Sequence, residues 1–439
     1  MDTDCKGDRI CEEHRCVSTH DKSEEGPKPS VGEVSASTAP NDAEPSAARF
    51  GAFMRGGPGN AGPLSFDAPK ERPALAWDLD LGAVISASPR LVVAKADASI
   101  AYVGTHGGRL VGVAVEGTRE GTIVLDIELG GRIWSTPWVD DEGVLYVGTD
   151  ADELVAVNLE SGKVAWRTKI GTCAQTTAPG PEGARCDVDG GPTQGPGGDL
   201  YVGADGVYRL RRDGTVVWHW PSDLGEGERP PHVASTPVVT SDGRVLFGAQ
   251  DGFVHALDSD GTERWSYKVI ADVDGSGWIG EDGEFVVGAD DGRVYAIRRD
   301  GSLKWSFVAQ RDIRSSVGGD GEGRLYVTGH DGFLYALSAA GAVEWVFQTR
   351  APIQSTPVVD ASGRVIVGGQ DNAIYMLAHD GALVWQLELP ADVDSSVALS
   401  PEGTLVVGCD DGHLRAYRAG GATQKASRAP GEKAATPSP

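Results

Sequence analysis

Carboxylates recur in this chain at one spacing. Asp187-Val-Asp189, Asp272-Val-Asp274 and Asp392-Val-Asp394 are three copies of the same tripeptide, and Asp312-Ile-Arg314 is a fourth with arginine in place of the second acid. Clustered carboxylates are what a hard cation such as calcium takes from a protein. Asp187, Asp189, Asp272 and Asp274 are therefore weak candidate metal ligands. Asp272-x-Asp274-x-Ser276-Gly277 even matches the opening of a calcium-binding helix–loop–helix segment, but its twelfth position is Gly283, where a bidentate glutamate is needed. The chain has no Gly-x-Ser-x-Gly, no His-Glu-x-x-His and no phosphate-cradling glycine loop with a lysine, and its nine histidines are scattered. No residue is expected to be catalytic.

The cysteines offer a second chemistry. Cys5, Cys11 and Cys16 lie in DCKGDRICEEHRCV. With His14 they would make a zinc set, but the knuckle spacing Cys-x-x-Cys is missing. Three is also an odd number for a disulfide module. Cys173 and Cys186 bracket a Gly/Pro-rich insertion, CAQTTAPGPEGARC. A disulfide closing that loop would contribute roughly 3 kcal/mol in the chain-entropy model and fits an oxidising compartment. Cys409, at a strand end, is expected as a small buried residue.

The elements that must position these groups are legible from a repeat. Trp265, Trp305, Trp345 and Trp385 fall 40 residues apart, each closing a copy of one phrase. The copies read VLFGAQDGFVHALDSDGTERW (245–265), FVVGADDGRVYAIRRDGSLKW (285–305), LYVTGHDGFLYALSAAGAVEW (325–345) and VIVGGQDNAIYMLAHDGALVW (365–385). Alternating apolar runs broken by Asp-Gly predict hairpins, here with type I′ turns. Weaker copies end at Trp166 and Trp218, and a first copy carries Leu125 where the tryptophan belongs. A further strand precedes each phrase, at SASP (86–89), WSTP (134–137), ASTP (234–237), RSSV (314–317), QSTP (354–357) and DSSV (394–397). The last copy, LVVGCDDGHLRAY (405–417), lacks its final strand, and ALAWDLDL (74–81) carries an unclaimed Trp77. Units this small bury their apolar faces only by stacking. The expectation is an all-β chain: a single eight-bladed β-propeller of four-stranded antiparallel blades, closed by an N-terminal strand completing the last blade.

In that architecture the residue ahead of each Ser-Thr-Pro-like phrase rings one mouth of the channel. These residues are Ser86, Trp134, Asp189, Ala234, Asp274, Arg314, Gln354 and Asp394, flanked by Asp187, Asp272, Asp312 and Asp392. The turns add His106, Gln250, Asp290, His330, Gln370 and Asp410. Trp134, Asp189, Asp274, Arg314, Gln354 and Asp394 are the expected partner-binding rim, since propellers bind at such mouths.

Boundaries follow from composition: a Cys-rich segment at 1–16, a disordered Ser/Ala/Pro/Gly-rich linker at 17–73, the propeller at 74–418 and a disordered tail at 419–439. Acidic residues number 64 against 39 basic, a net charge of −25 that repels phosphate backbones and excludes a nucleic-acid partner. No run of 18 apolar residues predicts a membrane span. The chain is expected as a monomer.

The Trp-bearing phrase resembles that of the pyrroloquinoline-quinone (PQQ)-type propellers, whose unit reads Ala-x-Asp-x-x-Thr-Gly-x-x-x-Trp. Ala156–Trp166, AVNLESGKVAW, approximates it, as does ALDSDGTERW from Ala256. Phe53–Gly62, FMRGGPGNAG, is similar to the stretch that often precedes the first blade in this family. The resemblance implies either a quinone-dependent dehydrogenase or a non-enzymatic scaffold of the BamB type. The dehydrogenases carry an adjacent Cys-Cys pair and large active-site insertions, and this chain has neither. The expected function is a non-catalytic, extracytoplasmic scaffold binding a protein or surface ligand at the cell envelope, with no cofactor. The alternative is a PQQ-dependent oxidoreductase using calcium in a reduced active site. The N-terminal cysteines resemble short modules that follow the signal or lipoprotein sequence of secreted bacterial proteins. On that resemblance Met1 is an internal methionine, with a signal sequence and a partner cysteine encoded upstream.

Overall fold

The computed structural model describes residues 9–12, 15–18, 64, 66–93, 99–171, 187–222, 230–280 and 282–420. Cys5, the linker through 63, the expected Cys173–Cys186 disulfide and the tail from 421 lie outside the described residues. At the N-terminus the backbone of one hairpin is described, Arg9–Glu12 paired with Arg15–Ser18.

Eight four-stranded antiparallel sheets make an eight-bladed propeller. Strands A to D run outward from the channel. In blade 5 they are Trp278–Ile279, Phe285–Gly288, Arg293–Ile297 and Leu303–Val308. In blade 8 strands A to C are Ala398–Leu399, Leu405–Gly408 and His413–Arg418, and strand D is Ala74–Asp80 from the other end of the chain. The Ser-Thr-Pro phrases stand just ahead of the ladder: strand A of blade 2 is Trp138–Val139, after WSTP.

Each strand D tryptophan of the repeat docks its blade onto the next. The indole N–H of Trp265, Trp305 and Trp345 donates to the carbonyl of Arg299, Ala339 and His379, each 34 residues on, at 2.9–3.1 Å. Trp77, Trp166 and Trp218 do the same to Val115, Arg212 and Ser259. The indole face covers the glycine of the same C–D turn. Gly341 has φ +77°, and a Cβ there would stand 2.5 Å from the Trp305 ring. In blade 1 Leu125 replaces the tryptophan and packs toward Gly162.

At the channel, hydroxyls form a second circuit. The backbone N–H of Ser88 donates to Thr136 Oγ1, Gly191 to Thr236, Thr236 to Ser276, Ser276 to Ser316, Thr356 to Ser396, and Ser396 back to Ser88. The preceding serine ties strand A to strand B: Ser135, Ser235, Ser355 and Ser395 Oγ donate to the carbonyls of Gly148, Gly248, Gly368 and Gly408. These serines are at most 1% exposed. Small hydroxyl residues are required because strands crowd at the axis and every buried backbone group needs a partner.

Two expectations are corrected. The Asp-Gly hairpins are not type I′ turns, which need φ > 0 at both central residues. Gly292 N–H donates to Ala289 O and Ala289 N–H to Arg293 O, while φ is positive only at Gly292 in that turn. This is a type I turn followed by a left-handed residue, the three-residue hairpin loop. Asp152 (φ +59°) and Asn372 (φ +62°) take the left-handed place in blades 2 and 7, a conformation short polar side chains tolerate. The linker expected through 73 also differs at its end. Leu64 and Phe66 pack against the core of blades 7 and 8, and Trp385 Nε1 donates to Pro69 O.

Gly341→Ala combines strained backbone with a collision against Trp305, so it should destabilise by roughly 2–4 kcal/mol. Trp305→Phe, which loses one hydrogen bond and part of the ring, should cost less. Urea midpoints of the two variants decide it; equal midpoints would contradict the proposed dock.

Candidate functional site

The B–C turns and the loops entering strand A share one end of the channel, the upper mouth. Backbone bonds tie them: the N–H of His106, Asp150, Gln250, Asp290, His330, Gln370 and Asp410 donates to the carbonyl of Val84, Arg132, His232, Asp272, Asp312, Pro352 and Asp392. In seven blades a rim residue thus stands beside a turn residue; Trp134, Ala234, Asp274, Arg314, Gln354 and Asp394 are half-buried at the lip, and Ser86 and Asp189 are buried.

The side chains then bond one another around the mouth. Arg314 grips Asp290 of the preceding blade with two bonds of 3.1 and 3.0 Å. Gln250 donates to Asp274 at 2.9 Å. Gln370 donates to Asp394 at 2.9 Å and to Gln354 at 3.3 Å. Trp134 Nε1 donates to Asp150 at 3.2 Å, and its ring lies 3.8 Å from that of His106. His106 Nε2 in turn sits 3.1 Å from Ser86 Oγ. The expected rim residues Trp134, Asp274, Arg314, Gln354 and Asp394 therefore belong to one polar lip.

Asp189 sits in the most acidic sector. Carboxylate oxygens of Asp150, Asp187 and Asp189 all lie within 4.8 Å of one another. Such a trio could supply oxygen ligands to a hard divalent cation. Asp272 and Asp274 do not join a comparable group among the described residues. Ser276, the third residue of the calcium-loop match, is wholly buried and its hydroxyl accepts from Thr236 N–H, so it belongs to the channel circuit.

Three features escape sequence reasoning. Asp150 is not among the expected mouth residues; its turn has Asp152 where most copies have glycine. The 16-residue interval from Trp134, matching that from Gln354 to Gln370, is the signal that finds it. Asp205, fully buried in blade 3, accepts from Tyr208 at 2.6 Å. The turn aspartates also do more than initiate hairpins. Asp291, Asp331 and Asp371 accept from Tyr295, Tyr335 and Tyr375 four residues on, while Asp251 and Asp411 pair with His255 and Arg415 at the same interval. Burial and then the bond to the carboxylate lift the Tyr375 phenol to about 12. Burial pushes the Cys409 thiol up to about 12 as well, and Cys409 is wholly enclosed in the blade 8 core.

Carboxylates of the mouth repel one another. Burial, then Asp394 and Asp371, raise the Asp392 carboxyl above its ordinary value. Burial, then Asp187, raise that of Asp152.

The family model described as outer membrane protein assembly factor BamB matches residues 119–272, 203–319 and 290–434. Among solved structures, BamB from Moraxella catarrhalis superposes with a TM-score of 0.58 at 15% identity, covering 79% of this chain and 100% of that one. A europium-containing methanol dehydrogenase gives 0.62 at 14% identity, covering 79% and 88%. The quinohemoprotein alcohol dehydrogenase from Comamonas testosteroni gives 0.65 at 13%, covering 84% and 80%. No curated protein matches the sequence. At these identities the structural likeness is one of fold.

A carboxyl whose folded pKa is raised destabilises the fold while ionised, above that pKa, and the penalty disappears once both states are protonated. Asp392→Asn should therefore raise the melting temperature at pH 7, and the gain should vanish near pH 3. Thermal melts across that range test it; no gain at pH 7 would contradict a carboxyl raised by burial and by its acidic neighbours.

Proposed function

Because this chain belongs to the family of the outer membrane protein assembly factor BamB, we propose that it is a non-catalytic scaffold of the cell envelope whose partner docks on the upper mouth. One observation carries this function: the rim side chains of adjacent blades hold one another in place, as in Arg314–Asp290, Gln250–Asp274 and Gln370–Asp394. A lip already ordered loses little side-chain entropy on association. Its acidity favours a basic partner surface, which long-range attraction would steer to the mouth. The family match supports an extracytoplasmic location, and a disulfide between Cys173 and Cys186 would fit one. Among the described residues no helix is long and apolar enough to cross a membrane.

The alternative, a PQQ-dependent oxidoreductase, draws on the fold shared with the two dehydrogenases. The donor set at the mouth does not fit that quinone. The mouth gathers the carboxylates of Asp150, Asp187 and Asp189, which would repel the quinone's own carboxylates, and the one arginine among the eight rim positions is already held by Asp290. Bringing like charges together in a half-buried site is costly. We infer no quinone and no step through one.

With full-length protein as bait on an envelope fraction, a captured partner should be released progressively by salt. Asp274→Ala, Asp394→Ala and Asp189→Ala should each weaken capture roughly two- to fivefold. Capture indifferent to salt and to all three changes would exclude the mouth as the docking surface. Incubation with PQQ and calcium should yield no dye-linked alcohol oxidation; turnover abolished by Asp274→Ala would establish the oxidoreductase instead.

A further inference from the structure

We infer that Leu64 and residues 66–70 form a strap that locks blade 7 to blade 8 independently of strand D of blade 8, and that can release while that strand stays paired. The need for it arises from the seam. At the other tryptophan docks the indole meets the C–D turn of the following blade. Blade 8 has no such turn, because strand C ends at Arg418 and strand D begins at Ala74. Trp385 is 5% exposed and would be left with a buried N–H lacking an acceptor. Pro69 supplies the carbonyl at 2.9 Å.

The grip on blade 7 centres on two polar side chains that are themselves buried, Asp360 and Arg364. Asp360, with no exposed surface, accepts from Ala68 N–H at 3.1 Å and pairs with Arg364, whose Nη2 donates to Ala68 O at 2.8 Å. Ser362 Oγ donates to Asp67 at 2.6 Å. That bond first, and the Arg364 charge, hold the Asp67 carboxyl below its ordinary range. Leu64 N–H donates to Val359 O, and Ala361 N–H to Phe66 O. Asp360 N–H faces strand B, where it donates to Arg364 O, so Val359 and Ala361, one residue away on either side, present their backbone groups to the opposite edge. That edge is the channel side. The strap therefore runs from the lower mouth of the channel outward to Trp385, whereas strand D pairs along strand C at the perimeter.

The two attachments differ in what holds them. Strand D has a ladder from Ala74–Arg418 to Asp80–His413, with Asp78 bonded to His413 at 2.6 Å. The strap has two ladder-like bonds, the Asp360–Arg364 grip and single bonds from Ser362 and Trp385. Shorter attachments open at lower free energy.

Hydrogen exchange on the full chain, read by mass spectrometry, distinguishes the two. In rising sub-denaturing urea, the segment 358–363 should lose protection before 74–80 and 413–418. In Ala68→Pro, which removes the N–H given to Asp360, exchange at 358–363 should quicken about tenfold or more, with 74–80 unchanged. Loss of protection in all three segments together, or no change at 358–363 in the variant, would overturn the strap. The urea series on the unmodified chain keeps the test decisive should the variant fail to fold.

Discussion

One contact recurs at the outer corner of the blades: an indole N–H held by a carbonyl of the next blade, with the ring face against that blade's turn glycine. It joins a large apolar area to a directional bond, so each blade fixes the angle of its neighbour. The glycine is forced because a Cβ at Gly301 or Gly341 would enter the preceding tryptophan ring. The repeat period is therefore a packing requirement as well as a chain spacing.

A chain that closes on itself must solve the same contact where its ends meet. Here the solution has three parts. Strand Ala74–Asp80 completes the sheet, Trp77 docks forward onto Val115, and Pro69 stands in for the absent turn beneath Trp385. Ion pairs add to the seam: Arg418 grips Glu120 of blade 1 through two bonds, and Arg415 sits between Asp78 and Asp411. The hydroxyl circuit at the axis passes through the same place, from Ser396 to Ser88.

The upper mouth uses positions that neither circuit needs. The segment leading into strand A must offer small hydroxyl residues and the turns must offer a left-handed residue, but the side chain ahead of those hydroxyls belongs to neither circuit. That freedom is where the copies diverge, as Trp134, Asp189, Ala234, Asp274, Arg314, Gln354 and Asp394. Divergence there still leaves a structured surface, because the turn residue alongside varies with it: glutamine beside aspartate, aspartate beside arginine.

The amino-acid sequence determined the sheet count, the seam strand and the face on which the rim stands. Those follow from periodicity, and periodicity is a property of the chain itself. Tertiary structure alone decided which rim residues touch. Asp290 and Arg314 are partners across two blades, and the blade-2 turn residue Asp150 joins Trp134 and the carboxylates of Asp187 and Asp189. It also decided the turn class, since Asp-Gly is compatible with either hairpin loop and the three-residue loop is chosen by how strands B and C must twist together. The strap was hidden for a similar reason. Leu64 and residues 66–70 show no repeat and no alternation, and their structure comes from Asp360, Arg364 and Trp385, some 300 residues away. Local pattern encodes elements, whereas contacts at long separation exist only once the ring has brought its ends together.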